Sequence, residues 1–265
     1  MAKKVYLSPS NHGKNQNKCL KSGCYEDKHT RPMAEACAKY LKASGIQVKI
    51  AAESTGVLNG ARTKEANNWG ADLYVPIHTN AAGASARYLL FMFYADNATY
   101  RKIFNCVAPK LEAIYPNKTK AHYSVRTDLY EVRNPKAKTL YCEMGFHTNK
   151  TDCDKFIHNA DAIGKALAEG ICDYFGVKFK GTSSSTTSTT TKPSTGSAST
   201  SKSFLVKVKY DSLNIREKAS ISSKIVGKIT DHGTYTIVQT SGTWGKLKSG
   251  AGWISILDEY VERVK

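Results

Sequence analysis

Long apolar runs are missing from this chain. No stretch approaches the length of a membrane span, which excludes stable membrane insertion by a helix. The opening residues, Met-Ala-Lys-Lys-Val-Tyr-Leu-Ser-Pro, lack the apolar core of a signal peptide. The expectation is a soluble chain made in the cytoplasm, released by some other route if it acts outside. A disulfide framework is missing too. The seven cysteines (Cys19, Cys24, Cys37, Cys106, Cys142, Cys153 and Cys172) are odd in number and irregular in spacing, so reduced thiols are expected. Acidic residues are scarce: 22 against 39 basic ones, a net charge of +17. That excess points to a polyanionic partner, with nucleic acid, acidic lipid and anionic cell-wall polymer as candidates and simple solubility as the plain alternative.

The distribution of the charge narrows this choice. Residues 1–180 hold 27 basic and 16 acidic side chains, residues 181–202 two lysines and no acid, and residues 203–265 ten basic and six acidic. No arginine-rich arm and no basic stretch interleaved with aromatics is present, so a large anionic surface fits better than nucleic acid. Residues 181–202, GTSSSTTSTTTKPSTGSASTSK, have no large apolar side chain and read as a flexible linker. Before the linker, strand-like stretches at 4–8, 46–51, 72–77, 88–94 and 139–143 alternate with helix-like stretches at 29–44, 60–70, 97–115 and 155–175, Pro109 being placed to kink or divide the third helix. This alternation predicts an α/β domain, a twisted, mostly parallel sheet flanked by helices. After the linker, short β-branched and aromatic runs divided by Gly, Ser and Asp predict a small all-β barrel.

Active sites of open α/β sheets form beyond the carboxyl ends of the strands. His12 follows the first strand, His78 ends the third, Glu143 ends the last, and Glu26 sits just before the first helix. Two imidazoles and a carboxylate are a common ligand set for a catalytic zinc that keeps one position open for water. The metal polarises a carbonyl and lowers the pKa of its water to about 7. A carboxylate off the metal can then carry the proton to a leaving nitrogen. His12, Glu26 and His78 are therefore candidate ligands of one Zn2+, Glu143 is the candidate general base and acid, and amide hydrolysis is the reaction class. Each residue also has a plainer reading: a histidine at a strand end as a hydrogen-bonded structural group, and Glu26 with Asp27 as acids favouring a helix N-terminus. Glu143, between Cys142 and Met144, is costly to bury without a partner. Of the other histidines, His29 reads as solvated helix surface, His147 as lining the cleft, and His122, His158 and His232 as surface. Cys19 and Cys24 with His29 form a second zinc arrangement of little weight, because the spacing does not match a common structural-zinc pattern and no second cysteine pair follows closely.

Taken together, the motifs resemble the zinc amidase family known as amidase-3, over nearly all of the first 180 residues and in the right order. They are Asn11-His12-Gly13, Glu26, Arg62-Thr-Lys-Glu-Ala66-Asn67, Ile77-His78-Thr79-Asn80, and Glu143-Met144-Gly145-Phe146 with Asn149. Ser8-Pro9-Ser10-Asn11 stands where the family has Asp-Pro-Gly, and Pro76 where Ser is common; neither removes a ligand. The resemblance implies the bond cut, between the muramic acid lactyl group and L-alanine of the peptidoglycan stem peptide. Residues 203–265 resemble a bacterial SH3-like wall-binding module through Leu213-Asn214-Ile215-Arg216, Trp244-Gly245-Lys246-Leu247 and Gly252-Trp253-Ile254, the two tryptophans being read as core or strand-packing residues. A catalytic head, a linker and a binding domain imply a phage-type endolysin acting on bacterial peptidoglycan. A host autolysin and a non-catalytic wall-binding protein are the alternatives.

Overall fold

The structure, a computed structural model, describes residues 2–12, 17–20, 24–55, 60–115, 119–181, 203–209, 212–219, 223–241, 243–256 and 260–264. It divides into two compact units, Met1–Thr187 and Ser188–Lys265. Apart from Gly181, the expected linker lies outside the described residues.

The first unit runs β1 (Lys4–Pro9), α1 (Glu26–Ala43), β2 (Gln47–Ile50), α2 (Ala61–Trp69), β3 (Leu73–Asn80), β4 (Leu89–Phe93), α3 (Ala98–Glu112), β5 (Ala121–Val125), α4 (Tyr130–Arg133), β6 (Lys138–Thr139), β7 (Tyr141–Phe146) and α5 (Lys150–Phe175). One sheet is ordered β2-β1-β3-β7-β4-β5, with β6 beside β3. Every pairing is parallel except β4 with β7. Alternate strand residues face opposite sides. Val5, Leu7, Val75, Ile77, Cys142 and Met144 join the main core with α1, α3 and α5, whereas Tyr6 and Tyr74 pack with Ala66 of α2 on the other side.

Several boundaries differ from those read in the sequence, each for a local reason. Helix α1 begins at Glu26, so Glu26 belongs to its first turn. Helix α5 begins at Lys150 because Asn149 caps it, accepting hydrogen bonds from the Thr151 and Asp152 amides. The helix carries one break, at Asn159 (φ −135°, ψ 25°). Helix α3 is continuous, Pro109 falling in its last turns. Strand β5 and helix α4 have no counterpart in the sequence reading.

The second unit is all β: β8 (Phe204–Val208), β9 (Leu213–Arg216), β10 (Ile225–Ile229), β11 (Thr234–Ser241), β12 (Trp244–Leu247), β13 (Trp253–Ser255) and β14 (Val261–Val264). The strands pair antiparallel in the order β10-β9-β13-β12-β11-β8-β14. Its core is aliphatic, built on Val206, Val208, Ile215, Ile237, Leu247 and Ile254. The two tryptophans are not part of it, so of the two expected roles, core or strand packing, the core one does not hold. Trp244 and Trp253 are half-buried, on the face opposite inward Leu247 and Ile254, and Lys246 reaches over the Trp253 ring at 6.0 Å from its centroid.

Helices α1 and α5 meet at Gly164. A Cβ there would lie 2.6 Å from the Cys37 amide nitrogen and 2.6 Å from the Met33 carbonyl oxygen, both backbone atoms of α1. Replacing a mid-helix glycine by alanine ordinarily gains about 1 kcal/mol in helix propensity, but overpacking a tight core costs about 1–3 kcal/mol. Because the obstruction is backbone, the second effect dominates. Gly164→Ala is expected to lower the urea midpoint of the first unit; an unchanged or raised midpoint would show that the two helices can separate at little cost.

Candidate active site

The ends of three neighbouring strands assemble the site. In register, Pro9 of β1 is opposite Ile77 of β3, and His78 of β3 is opposite Glu143 of β7. His12 lies three residues past β1, and α1 begins with Glu26. The ligating atoms of His12, Glu26 and His78 all come within 4.8 Å of one another. Glu26 Oε2 is 3.8 Å from His12 Nε2, and Glu26 Oε1 is 3.3 Å from His78 Nδ1. The two imidazole centroids are 5.3 Å apart.

Glu26 is 2% exposed. The Thr79 amide donates to its Oε1 at 2.8 Å, and Asn17 Nδ2 donates to its Oε2. Burial alone would raise its pKa, but the His78 contact and these donors outweigh burial and hold it well below the usual carboxylate range. His78 shows the reverse balance. Burial pushes it down, while Glu131, Glu26 and Glu143 pull it up to about 10. Its ring stacks on Tyr141 with centroids 4.7 Å apart. Burial and the neighbouring His78 charge lower the pKa of His12. Burial raises Glu143 to about 7, with His78 pulling the other way and Glu26 adding repulsion. Glu143 Oε2 is buried without a hydrogen-bond partner.

Glu131 was not anticipated. It sits in the short helix α4, 9% exposed, with its Oε2 3.6 Å from His78 Nε2, an ion-pair distance longer than a hydrogen bond. Ser8 Oγ donates to Glu131 Oε1 at 2.8 Å, and the Tyr74 hydroxyl donates to the same oxygen. Burial opposes its ionisation, but His78, Tyr74 and Ser8 together lower its pKa. Behind Ser8 stands Arg62, 1% exposed, which donates to Ser8 Oγ at 3.0 Å and to the Pro9 and Thr55 carbonyls. Asn67 accepts from the Lys136 amide at 2.8 Å and so fixes the chain leaving α4. Arg62 and Asn67 were the signal that could have led to Glu131: Arg62 holds Ser8, which donates to Glu131, and Asn67 holds the chain after α4. Gly145 has a comparable explanation. Its φ is +100°, and a Cβ there would lie 2.7 Å from Asp152 Oδ2, the atom that accepts the Phe146 amide.

Two histidine assignments are corrected. His29 is not solvated; it is 3% exposed, stacked on Phe156 with centroids 5.0 Å apart, and its Nε2 is 2.9 Å from Thr79 Oγ1. Burial lowers its pKa to about 4. His147 is buried as well, its Nδ1 3.0 Å from the Thr79 carbonyl, so it braces β3 instead of lining a cleft. His122 and His232 are exposed, and the side chain of His158 lies outside the described residues.

The residues fit a metal. The donor set is chemically that of a catalytic zinc site, three carboxylates converge on one imidazole, and Glu143 Oε2 and His78 Nε2 are buried without hydrogen-bond partners. Glu131 behind His78 is the outer carboxylate that commonly orients a ligating imidazole.

Known proteins share the sequence pattern and the fold of the first unit. Residues 5–173 match the family model described as Amidase_3, N-acetylmuramoyl-L-alanine amidase. The N-acetylmuramoyl-L-alanine amidase CwlM of Bacillus licheniformis is 26% identical over 179 residues, 65% of this chain and 68% of that protein. The first unit shares its fold with an N-acetylmuramoyl-L-alanine amidase from Clostridium difficile 630 (TM-score 0.59, 23% identity, 66% of this chain and 97% of that one). It also shares its fold with the catalytic domain of the CD27L endolysin, which targets Clostridia difficile (TM-score 0.52, 19% identity, 65% and 98%). With that family match spanning more than half of its length, the chain belongs to the N-acetylmuramoyl-L-alanine amidases of the Amidase_3 family.

Proposed function

We propose that this chain hydrolyses the amide bond between the lactyl group of N-acetylmuramic acid and L-alanine of the peptidoglycan stem peptide, with one zinc ion held by His12, Glu26 and His78. The observation that carries the reading is a carboxylate, Glu143, with its pKa raised to about 7, on the strand beside a convergent His/Glu/His donor set. When bound, the ion supplies Lewis acidity to the scissile carbonyl and acidifies water. The side chains of the protein do the rest. Glu143 accepts a proton from the attacking water and delivers it to the L-alanine nitrogen as the C–N bond breaks. Its unpartnered Oε2 is the oxygen available to hold that proton, and a base with a pKa near the working pH is best suited to this exchange. Glu131 and the Tyr141 ring keep His78 in place.

For the second unit we propose an SH3-like wall-binding role. Trp244, Lys246, Trp253 and Arg216 present aromatic and cationic groups on the outer face of adjacent strands β12, β13 and β9. Such a face suits a polymer carrying both sugar rings and anionic groups. Tethering through the Ser/Thr-rich segment would keep the catalytic unit at high local concentration on an insoluble substrate. The role we assign is that of a phage-type endolysin, made in the bacterial cytoplasm and reaching the wall on release. The two-unit build and the shared fold with an endolysin catalytic domain support it.

Three outcomes test these readings. Glu143→Gln should reduce kcat on purified peptidoglycan by about 10²–10⁴-fold with unchanged fold and zinc content; near-normal turnover would remove Glu143 from the reaction. Because His78 without metal has a pKa of about 10, it carries a proton at pH 8 that a ligating nitrogen must lose. Zinc uptake should therefore release a proton at pH 8, and affinity should rise with pH up to about 10. Calorimetry in buffers of different ionisation enthalpy reads this directly. Glu131→Gln should shrink the release by lowering the His78 pKa, whereas a heat independent of buffer would contradict the assignment. Finally, Trp253→Ala in the full chain should leave more protein in the supernatant when cell walls are pelleted; undiminished pelleting would place the wall contact elsewhere.

A further inference from the structure

On the face of β3 opposite the catalytic pocket, a second group of metal-ligating side chains converges. Cys19, Cys24 and His29 bring their ligating atoms within 4.8 Å of one another, all buried. The sulfurs of Cys19 and Cys24 lie 3.5 and 3.6 Å from His29 Nδ1. Two ligands at about 2.3 Å (sulfur) and 2.0–2.1 Å (nitrogen) from one tetrahedral zinc are about 3.6 Å apart, so both distances match. The two sulfurs are 3.0 Å apart, well beyond the ~2.05 Å of a disulfide and inside the roughly 3.8 Å edge that two thiolates on one ion would span. A third thiol, Cys153 in the first turns of α5, hydrogen-bonds with Cys19 and is only 2% exposed. The geometry points to a second, structural metal site, Cys19/Cys24/His29, that takes zinc, with the Cys153 thiol beside Cys19 and outside the ligating group.

The chemistry of the donors selects the ion. Two thiols and one imidazole, all buried away from the catalytic pocket, form a soft donor set of the kind that structural zinc takes. The Cys19-x4-Cys24 spacing, set aside in the sequence reading as unlike a structural-zinc pattern, lies at the upper end of the usual ligand spacing, and the fold brings His29 against the pair. His29 is oriented from behind as a ligating histidine should be, its Nε2 against Thr79 Oγ1 at 2.9 Å, leaving Nδ1 aimed at the sulfurs.

The site has a structural consequence for catalysis. The segment from Asn17 to Glu26 is closed by the Glu26 amide on the Asn17 carbonyl (3.1 Å), the Lys18–Tyr25 bridge and the Cys19 amide on the Cys24 carbonyl (3.0 Å). It delivers both Glu26 and its donor Asn17 to the active site. An ion shared by this segment and α1 would fasten the start of α1 in place, which makes the three ligands positioning residues for Glu26.

The test is metal analysis of the full chain together with the spectrum of its cobalt form. The wild-type protein is expected to hold two zinc equivalents. His78→Ala should retain the thiolate-bound one, Cys19→Ser and Cys24→Ser should each lose it, and Cys106→Ser, a cysteine outside the cluster, should lose neither. Cobalt-loaded wild type should show the near-ultraviolet thiolate-to-cobalt absorption that a His/Glu/His site cannot produce, so this readout needs no variant to fold and is independent of the amidase reading. One zinc equivalent at most with no thiolate–cobalt absorption would overturn the proposal. So would a Cys19–Cys24 disulfide in protein purified under thiol-preserving conditions.

Discussion

Three carboxylates, Glu26, Glu131 and Glu143, face one buried imidazole, His78, and most of the surrounding structure manages that concentration of negative charge. Buried carboxylates are expensive unless they are paired and hydrogen-bonded. The Thr79 amide and Asn17 serve Glu26, while Ser8 and Tyr74 serve Glu131, with Arg62 behind Ser8 as the compensating cation. Glu143 alone keeps a buried oxygen without a partner, and its acidity falls accordingly. Without a metal, a proton on His78 supplies the missing positive charge. A divalent cation among His12, Glu26 and His78 would take over that role and free Glu143 for proton transfer, so the electrostatic need of the pocket and its chemistry are the same requirement.

The alternation of a β-strand extends this arrangement to the other face of the sheet. His78 points into the catalytic pocket, and the next residue, Thr79, meets His29 and His147 among the helices. One backbone amide, that of Thr79, also holds Glu26. Any displacement of β3 would therefore disturb a ligand, the donor that fixes a second ligand, and the cysteine-histidine cluster together. This is why the buried polar residues of the first unit gather around the ends of β1, β3 and β7.

Much of this could be read from the sequence, because His12, His78 and Glu143 end or follow apolar runs that can only be strands, and sheet topology brings such ends together. Glu26 was recognisable as a carboxylate at a helix start. Glu131 was not, since a helix of four residues, Tyr130–Arg133, has no periodicity to detect. Its supporters were visible as Arg62 and Asn67, but their purpose depends on contacts across the sheet. Cys153 likewise lies far from Cys19 and Cys24 in sequence, and α5 alone places it beside them. His29 falls on a polar-looking stretch, and the loop before α1, not helical periodicity, encloses it. In the second unit, the tryptophans were expected in the core or packed on the strands; the core is mainly aliphatic with Tyr260, and Trp244 and Trp253 are half-buried on the other face of their strands.

The central claim is amide hydrolysis by a metal held among His12, Glu26 and His78. It is tested most directly by mass analysis of the soluble fragments released from purified peptidoglycan, with and without a chelator. The account predicts free stem peptides beginning at L-alanine, absent after chelation and restored by added zinc. Glycan fragments with their peptides still attached, or release that persists in the metal-stripped enzyme, would contradict it.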